Sequence, residues 1–151
     1  MLCRYFLIPC YAAKKKYPKT NCINNYPLQT FKMQKVIIED KFNLFSEYWS
    51  PKIVGELNGQ HVKLAKLKGE FVWHKHDEED EMFLVMDGVL KMELRDKTIV
   101  INKNEFLIVP KGTEHRPVAD SEVLVMLFEP ATTLNTGNTE NEMTKHFLET
   151  I

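Results

Sequence analysis

Residues 71 to 85, FVWHKHDEEDEMFLV, place His74, His76 and five acidic side chains between two apolar runs. Imidazole nitrogens together with a carboxylate oxygen form a ligand set for a divalent transition metal. The same composition also describes a charged, solvated turn between strands, and strand phase bears on the choice. Side chains alternate faces along a strand, so His74 and His76 share one face and Lys75 opposes them. In the next run Glu81, Phe83 and Val85 share a face, with Met82, Leu84 and Met86 on the other. If the Glu81 face points inward, one carboxylate enters beside two imidazoles, while Asp80 points outward. A third imidazole comes from VPKGTEH, residues 109 to 115. There Pro110 and Gly112 build a tight turn, after which His115 re-enters a strand able to lie beside the first two. The chain has five histidines (His61, His74, His76, His115 and His146), and three of them fall at the strand edges of these two patterns.

The elements that must position these residues follow from the flanking sequence. KFNLFSEYWSPK is read as one short helix ended at Pro51. Beyond it lie short runs rich in Val, Ile, Leu and Phe, separated by turn residues: HVKLAKLKG, EFVWHKH, EMFLVMDG, VLKMELRDK, TIVINKN, EFLIVPKG, HRPV and EVLVMLFEP. Eight or so short strands with no long helix between them predict an all-β protein, an antiparallel sandwich or barrel. TENEMTKHFLET has helical spacing and is expected to close the domain as a short C-terminal helix.

The totals narrow the function classes. A chain of 151 residues is the size of one domain, and no run approaches the ~18 apolar residues of a membrane helix. A net charge of −1, with no basic block beyond Lys14, Lys15 and Lys16, makes nucleic acid a poor partner. Charge is unevenly spread. Residues 1–32 carry six basic side chains and no acidic one, whereas 33–151 carry the other 14 basic residues and all 21 acidic ones, a net −7. Cys3, Cys10 and Cys22 also lie in the first segment, so the patterned part has neither a disulfide framework nor a thiolate metal site, which fits a cytoplasmic protein. Residues 1–32 lack periodicity and are interrupted by Pro9, Pro18 and Pro27. A secretory or transit leader is weighed against a disordered tail or spurious upstream sequence before Met33, and the latter pair is preferred. Residues 33–151 are expected to form the single domain.

The two motifs resemble those of the cupin superfamily. The first family motif is matched by Gly69, His74-Lys75-His76, Glu81 and Gly88, with one residue fewer before His74. The second is matched by Pro110-Lys111-Gly112 and His115, with Asn104 in a glycine position and Ala119 in an asparagine position. The resemblance covers about residues 50–130, and YWSPKIVGELNG and EPATTLNTG extend it toward small, single-domain microbial cupins. It implies a double-stranded β-helix, a jelly-roll barrel of two antiparallel sheets. It also implies a three-histidine, one-carboxylate metal site of His74, His76, Glu81 and His115 at the barrel mouth.

Four ligands on an octahedral ion leave two positions for water, oxygen or a bidentate substrate, and an N/O set suits Fe, Mn, Ni, Cu or Zn. Zinc could instead take all four in a closed tetrahedron. Three functions are consistent with this: a metal-dependent enzyme acting on an oxygenated small molecule (dioxygenase, isomerase or decarboxylase type), a non-catalytic metabolite binder or sensor, and a metal-stabilised structural module. Fold does not select among them. No inward Lys or Arg is evident, though Lys63, Lys66, Lys68 and Lys91 await placement, and this disfavours phosphorylated substrates. Trp73, Glu114 and Arg116 are read as outward, His61 as solvent-facing, Glu79 and Asp80 as turn residues, and Phe83 and Val85 as core or pocket wall. TTLNTGN, residues 132–138, is either a cover for the barrel mouth or an ordinary loop. Sheet edges and family habit predict a homodimer.

Overall fold

A computed structural model describes residues 33–151. The readings made above for residues 1–32 lie outside the described residues. Among these, one short helix, α1 (Ile38–Phe42), precedes seven strands: β1 (Lys52–Leu57), β2 (Gln60–Glu70), β3 (Glu81–Asp87), β4 (Val89–Leu94), β5 (Thr98–Asn102), β6 (Phe106–Val109) and β7 (His115–Pro130). No helix among the described residues is long and apolar enough to cross a membrane.

All named strand pairs are antiparallel, in the order β1-β2-β7-β3-β6, with β4 pairing both β5 and β7. The barrel closes through β7. Its first residues, His115–Val118, pair with β4, and its second half pairs with β2 and β3. The runs HRPV and EVLVMLFEP, read from sequence as two strands, are therefore one 16-residue strand that pairs with β2, β3 and β4. Register shifts at Leu67/Gly69 and Val85/Asp87 provide the bends that such a strand crossing requires.

Burial follows the period of 2. Glu81, Phe83 and Val85 are buried along β3 while their neighbours are half-buried, as alternation on a half-covered sheet demands. Inside the barrel Leu90, Met92, Val85, Val123 and Val125 are fully buried, each Leu or Met contributing about 1.5–3 kcal/mol by leaving water. A second cluster lies on the outer face of β2, where Phe42, Phe45, Val54 and Leu64 pack with Ile151.

Three expectations are corrected. The helix read across residues 41–52 ends at Phe42, and Tyr48 instead makes a parallel bridge to Lys66. EFVWHKH forms no strand of its own: Glu70 ends β2 opposite Val118, Phe71 N donates to Pro117 O, and beyond them only a bridge from His74 to His115 joins it to β7. No C-terminal helix forms. The Asn135 side chain bonds the Met143 carbonyl and the Lys145 amide, Asn141 Oδ1 accepts from the Met143 amide, and Thr144 pairs with Thr136. Such side-chain bonds offer the backbone an alternative to the helix ladder. The chain end then runs extended along β1, with Ile53 donating to Glu149 O and Ile151 donating to Ile53 O.

Candidate metal centre

The local fold brings the two motifs together through backbone hydrogen bonds. His74 N donates to His115 O at 3.1 Å and His115 N to His74 O at 2.9 Å, so the first residue of β7 faces the first histidine directly. The Pro110–Gly112 turn docks on the same segment: Gly112 N donates to His76 O at 2.6 Å, and Asp80 Oδ1 accepts from Lys111 N at 2.9 Å. Asp80 is exposed, as its phase predicts, and its task is to pin this turn. Asn104 stands where the family has glycine and adopts φ 66°, a left-handed conformation that asparagine tolerates.

His74, His76, Glu81 and His115 are all buried, and one ligand atom from each lies within 4.8 Å of the others. Two ligands on opposite sides of an ion are about 4.2 Å apart at most, so the cluster needs to contract by only about half an ångström. Glu81 Oε2 is 3.4 Å from His76 Nε2 and 3.5 Å from His115 Nε2. Charge-assisted hydrogen bonds are shorter, about 2.7–2.9 Å, and all three atoms are buried with no hydrogen-bond partner. Buried polar atoms are almost always paired, so three orphans aimed at one point fit a cation.

The imidazoles are prepared for that task. His74 Nδ1 lies 3.0 Å from Val72 O and His115 Nδ1 lies 2.9 Å from Thr113 O, each a carbonyl two residues earlier. Such a contact favours the tautomer with its proton on Nδ1 and leaves Nε2 as the electron-pair donor. Burial, then the His115 ring facing it, holds His74 down to about 4, so its imidazole is neutral at physiological pH. Burial works to raise the Glu81 carboxyl, but the His115 and His76 imidazoles outweigh it and keep the group below the usual carboxylate range. Glu81 thus stands as a carboxylate beside the neutral His74 ring.

Beside the cluster a cavity is lined by His74, Glu81 and Glu129, with apolar walls that include Trp49, Phe71 and Leu127. Its free space is about 30 Å³, room for one or two water-sized groups. Residues 132–138 pack on the histidine segment: Asn138 N donates to Lys75 O at 3.3 Å, Thr132 Oγ1 donates to Glu79 Oε1 at 3.4 Å, and Asn135 reaches the cavity. Of the two readings of this loop, the one that places it over the mouth matches these contacts.

The other candidates separate cleanly. Trp73 is outward, with the Arg95 guanidinium 3.9 Å from its ring centroid. Arg116 pairs with Glu70 and Glu93, and Glu114 with Arg95. Lys91 pairs with Asp120, while Lys66 and Lys68 lie over Phe45 and Tyr48. His61 is half-buried rather than solvent-facing, and it stays outside the cluster. Two cavity residues, Trp49 and Glu129, escaped the sequence reading, and Lys63 was left unplaced there. Trp49, at φ 57° and stacked on Phe71 with centroids 4.9 Å apart, sits in a segment read as helix and gave no signal. Lys63 and Glu129 did give one. Lys63 is in phase with Ala65 and Leu67, and Glu129 with Val123, Val125 and Leu127, all buried.

Comparisons with known proteins agree with this geometry. The sequence pattern of the Cupin domain family matches residues 60–130. A cupin-2 domain containing protein of Shewanella frigidimarina is 44% identical, with a TM-score of 0.62, covering 63% of this chain and 93% of that one. Protein NMB1881 of Neisseria meningitidis is 26% identical, with a TM-score of 0.60, over 65% of this chain and all of that one. The Bacillus subtilis (strain 168) protein YdbB is 44% identical over 64 residues, 42% of this chain and 57% of YdbB, so the match spans little more than half of that relative. By matched pattern, barrel topology and shared sequence, the chain belongs to the cupin superfamily.

Proposed function

We propose that the protein is a metal-dependent enzyme acting on an oxygenated small molecule, of dioxygenase, isomerase or decarboxylase type. In this reading His74, His76, Glu81 and His115 hold one divalent Fe, Mn, Ni, Cu or Zn ion, and residues 33–151 are the functional unit. The observation that carries it is the convergence of three buried, partnerless ligand atoms, His76 Nε2, Glu81 Oε2 and His115 Nε2. A bound ion of this kind supplies Lewis acidity to a carbonyl or hydroxyl oxygen. The chain's own part is to hold three imidazoles and one carboxylate in place and to exclude bulk water behind apolar walls and the 132–138 loop. Lys63 points inward but is occupied by Glu129 at 2.8 Å, which disfavours a phosphorylated substrate. The lack of cysteine in 33–151 favours a cytoplasmic setting.

A non-catalytic metabolite binder or sensor is the second reading, favoured by the apolar lining and the small free space of the cavity. Elemental analysis of the full-length protein, purified anaerobically, against His76→Ala tests the shared premise. About one metal per wild-type chain, lost in the variant, is expected, and sub-stoichiometric metal in both sinks the enzyme reading. Oxygen-uptake and substrate screens then separate enzyme from sensor, since a sensor shifts its melting temperature with ligand but turns nothing over.

We also propose a homodimer. Phe106 and Ile108 on β6 are exposed, and they pair across the outer face with Leu84 and Met82 of β3. An apolar strip along a sheet edge suits a partner. Sedimentation of Ile108→Glu is expected to give monomer where the wild type gives dimer, and a monomeric wild type overturns the proposal.

A further inference from the structure

The Lys63–Glu129 pair is the feature of the barrel interior that the metal reading does not use. It joins β2 to β7 on their inner faces, with the two side chains 1% and 2% exposed. Lys63 Nζ donates to Glu129 Oε1 at 2.8 Å. The other carboxyl oxygen, Oε2, is buried and has no partner. Glu129 lines the same cavity as His74 and Glu81, whose apolar lining includes Trp49 and Leu127.

A buried Lys–Glu pair is a poor device for stability, because apolar residues of like volume usually serve as well or better. A buried oxygen left without a partner adds a cost of its own, and each such group calls for an explanation. The two observations are reconciled if a ligand completes the pair. Lys63 anchors one oxygen, and the other is left unpartnered on a residue that lines the cavity beside the cluster.

We propose that Glu129, positioned by Lys63, is a second recognition point of the cavity, and that it hydrogen-bonds a hydroxyl of a small ligand whose oxygens engage the four-residue cluster. The ligand class is a compact molecule with a hydroxyl next to a second oxygen function, as in an α-hydroxy acid or α-hydroxy ketone. A hydroxyl both donates and accepts, so it satisfies the free carboxyl oxygen whichever of the two carries the hydrogen. The apolar walls exclude a second charged group, and the small free space limits the body to a few atoms. The inference rests on the cluster holding a metal.

The test uses the full-length protein loaded with Co(II), titrated with glycolate and with methoxyacetate, binding being read from the visible absorption of Co(II). Both probes offer the same two oxygens, and only glycolate carries the hydroxyl hydrogen. The double variant Lys63→Met/Glu129→Leu removes both partners together and so leaves no unpaired charge. The preference of the wild type for glycolate is expected to fall about tenfold in the variant, with Co(II) affinity unchanged. Glu129→Gln, which retains a partner for Lys63, is expected to lie between the two. An unchanged preference in the double variant overturns this inference alone. A fall in Co(II) affinity also overturns it, because the pair then acts by positioning Glu81 rather than by reading a ligand. A wild type that takes up no Co(II) overturns the metal reading and this inference with it.

Discussion

Adding a divalent transition metal to the metal-free protein is expected to raise its melting temperature by roughly 10 °C, and His115→Ala is expected to lose nearly all of that gain. Metal that binds only the folded state stabilises it by about 4 kcal/mol at a thousand times its dissociation constant. For a domain of this size each kcal/mol is worth roughly 2–4 °C. His115 is the most informative candidate ligand to remove. It is fully buried, its Nδ1 is tied to Thr113 O at 2.9 Å, and its Nε2 has no role within the protein. Alanine also opens a cavity and lowers the metal-free baseline, so the quantity to compare is the metal-dependent shift within each protein. His61→Ala, which alters a histidine outside the cluster, is expected to keep the full shift. If His115→Ala retains it as well, His115 is not a ligand.

Gly137→Ala should be far more damaging than its position in a loop suggests. Gly137 has φ +55°, and a Cβ built there would lie 2.0 Å from Lys75 O, 2.8 Å from Lys75 C and 3.4 Å from His76 Nδ1. Lys75 O cannot easily retreat, since it belongs to the segment that His74 bonds to His115 and that Gly112 bonds at His76. The loop must move instead, giving up the Asn138 contacts to Lys75 and Asp77. The left-handed backbone alone costs about 1–2 kcal/mol with alanine, and the clash adds to that. Loss of a group that braces a ligand typically lowers metal affinity about 10–100-fold. Gly59→Ala is the control, because Gly59 has φ +78° and nothing within 4 Å of an added Cβ. Denaturant unfolding of the two variants then separates backbone strain from clash. If Gly137→Ala loses no more stability than Gly59→Ala and binds metal as the wild type does, the loop does not brace His76.

Where local alternation governs, the fold and the cluster were legible in the residues themselves. Every strand read from an apolar run appears except EFVWHKH, and the phase of β3 placed Glu81 on the buried face with Asp80 outside. Phase also held the signal for Lys63, which was left unplaced, and for Glu129, which passed unremarked because charged residues are rarely fully buried unless paired. The C-terminal segment misled, since its helical spacing could not reveal that Asn135 and Thr136, just upstream, and Ile53, distant in the chain, would claim its backbone and side chains.

By itself, then, the order of residues determined which side chains of a strand share a face: the period of 2 is a property of each strand alone and requires no partner. It also determined the turn that delivers His115, because proline and glycine restrict their own backbone. Only the tertiary structure decided that His115 bonds back to His74, that Lys63 closes on Glu129 across β2 and β7, and that Trp49 and the 132–138 loop wall the cavity. Those contacts join segments far apart in the chain. Their register is set by how the whole barrel packs, not by any local preference.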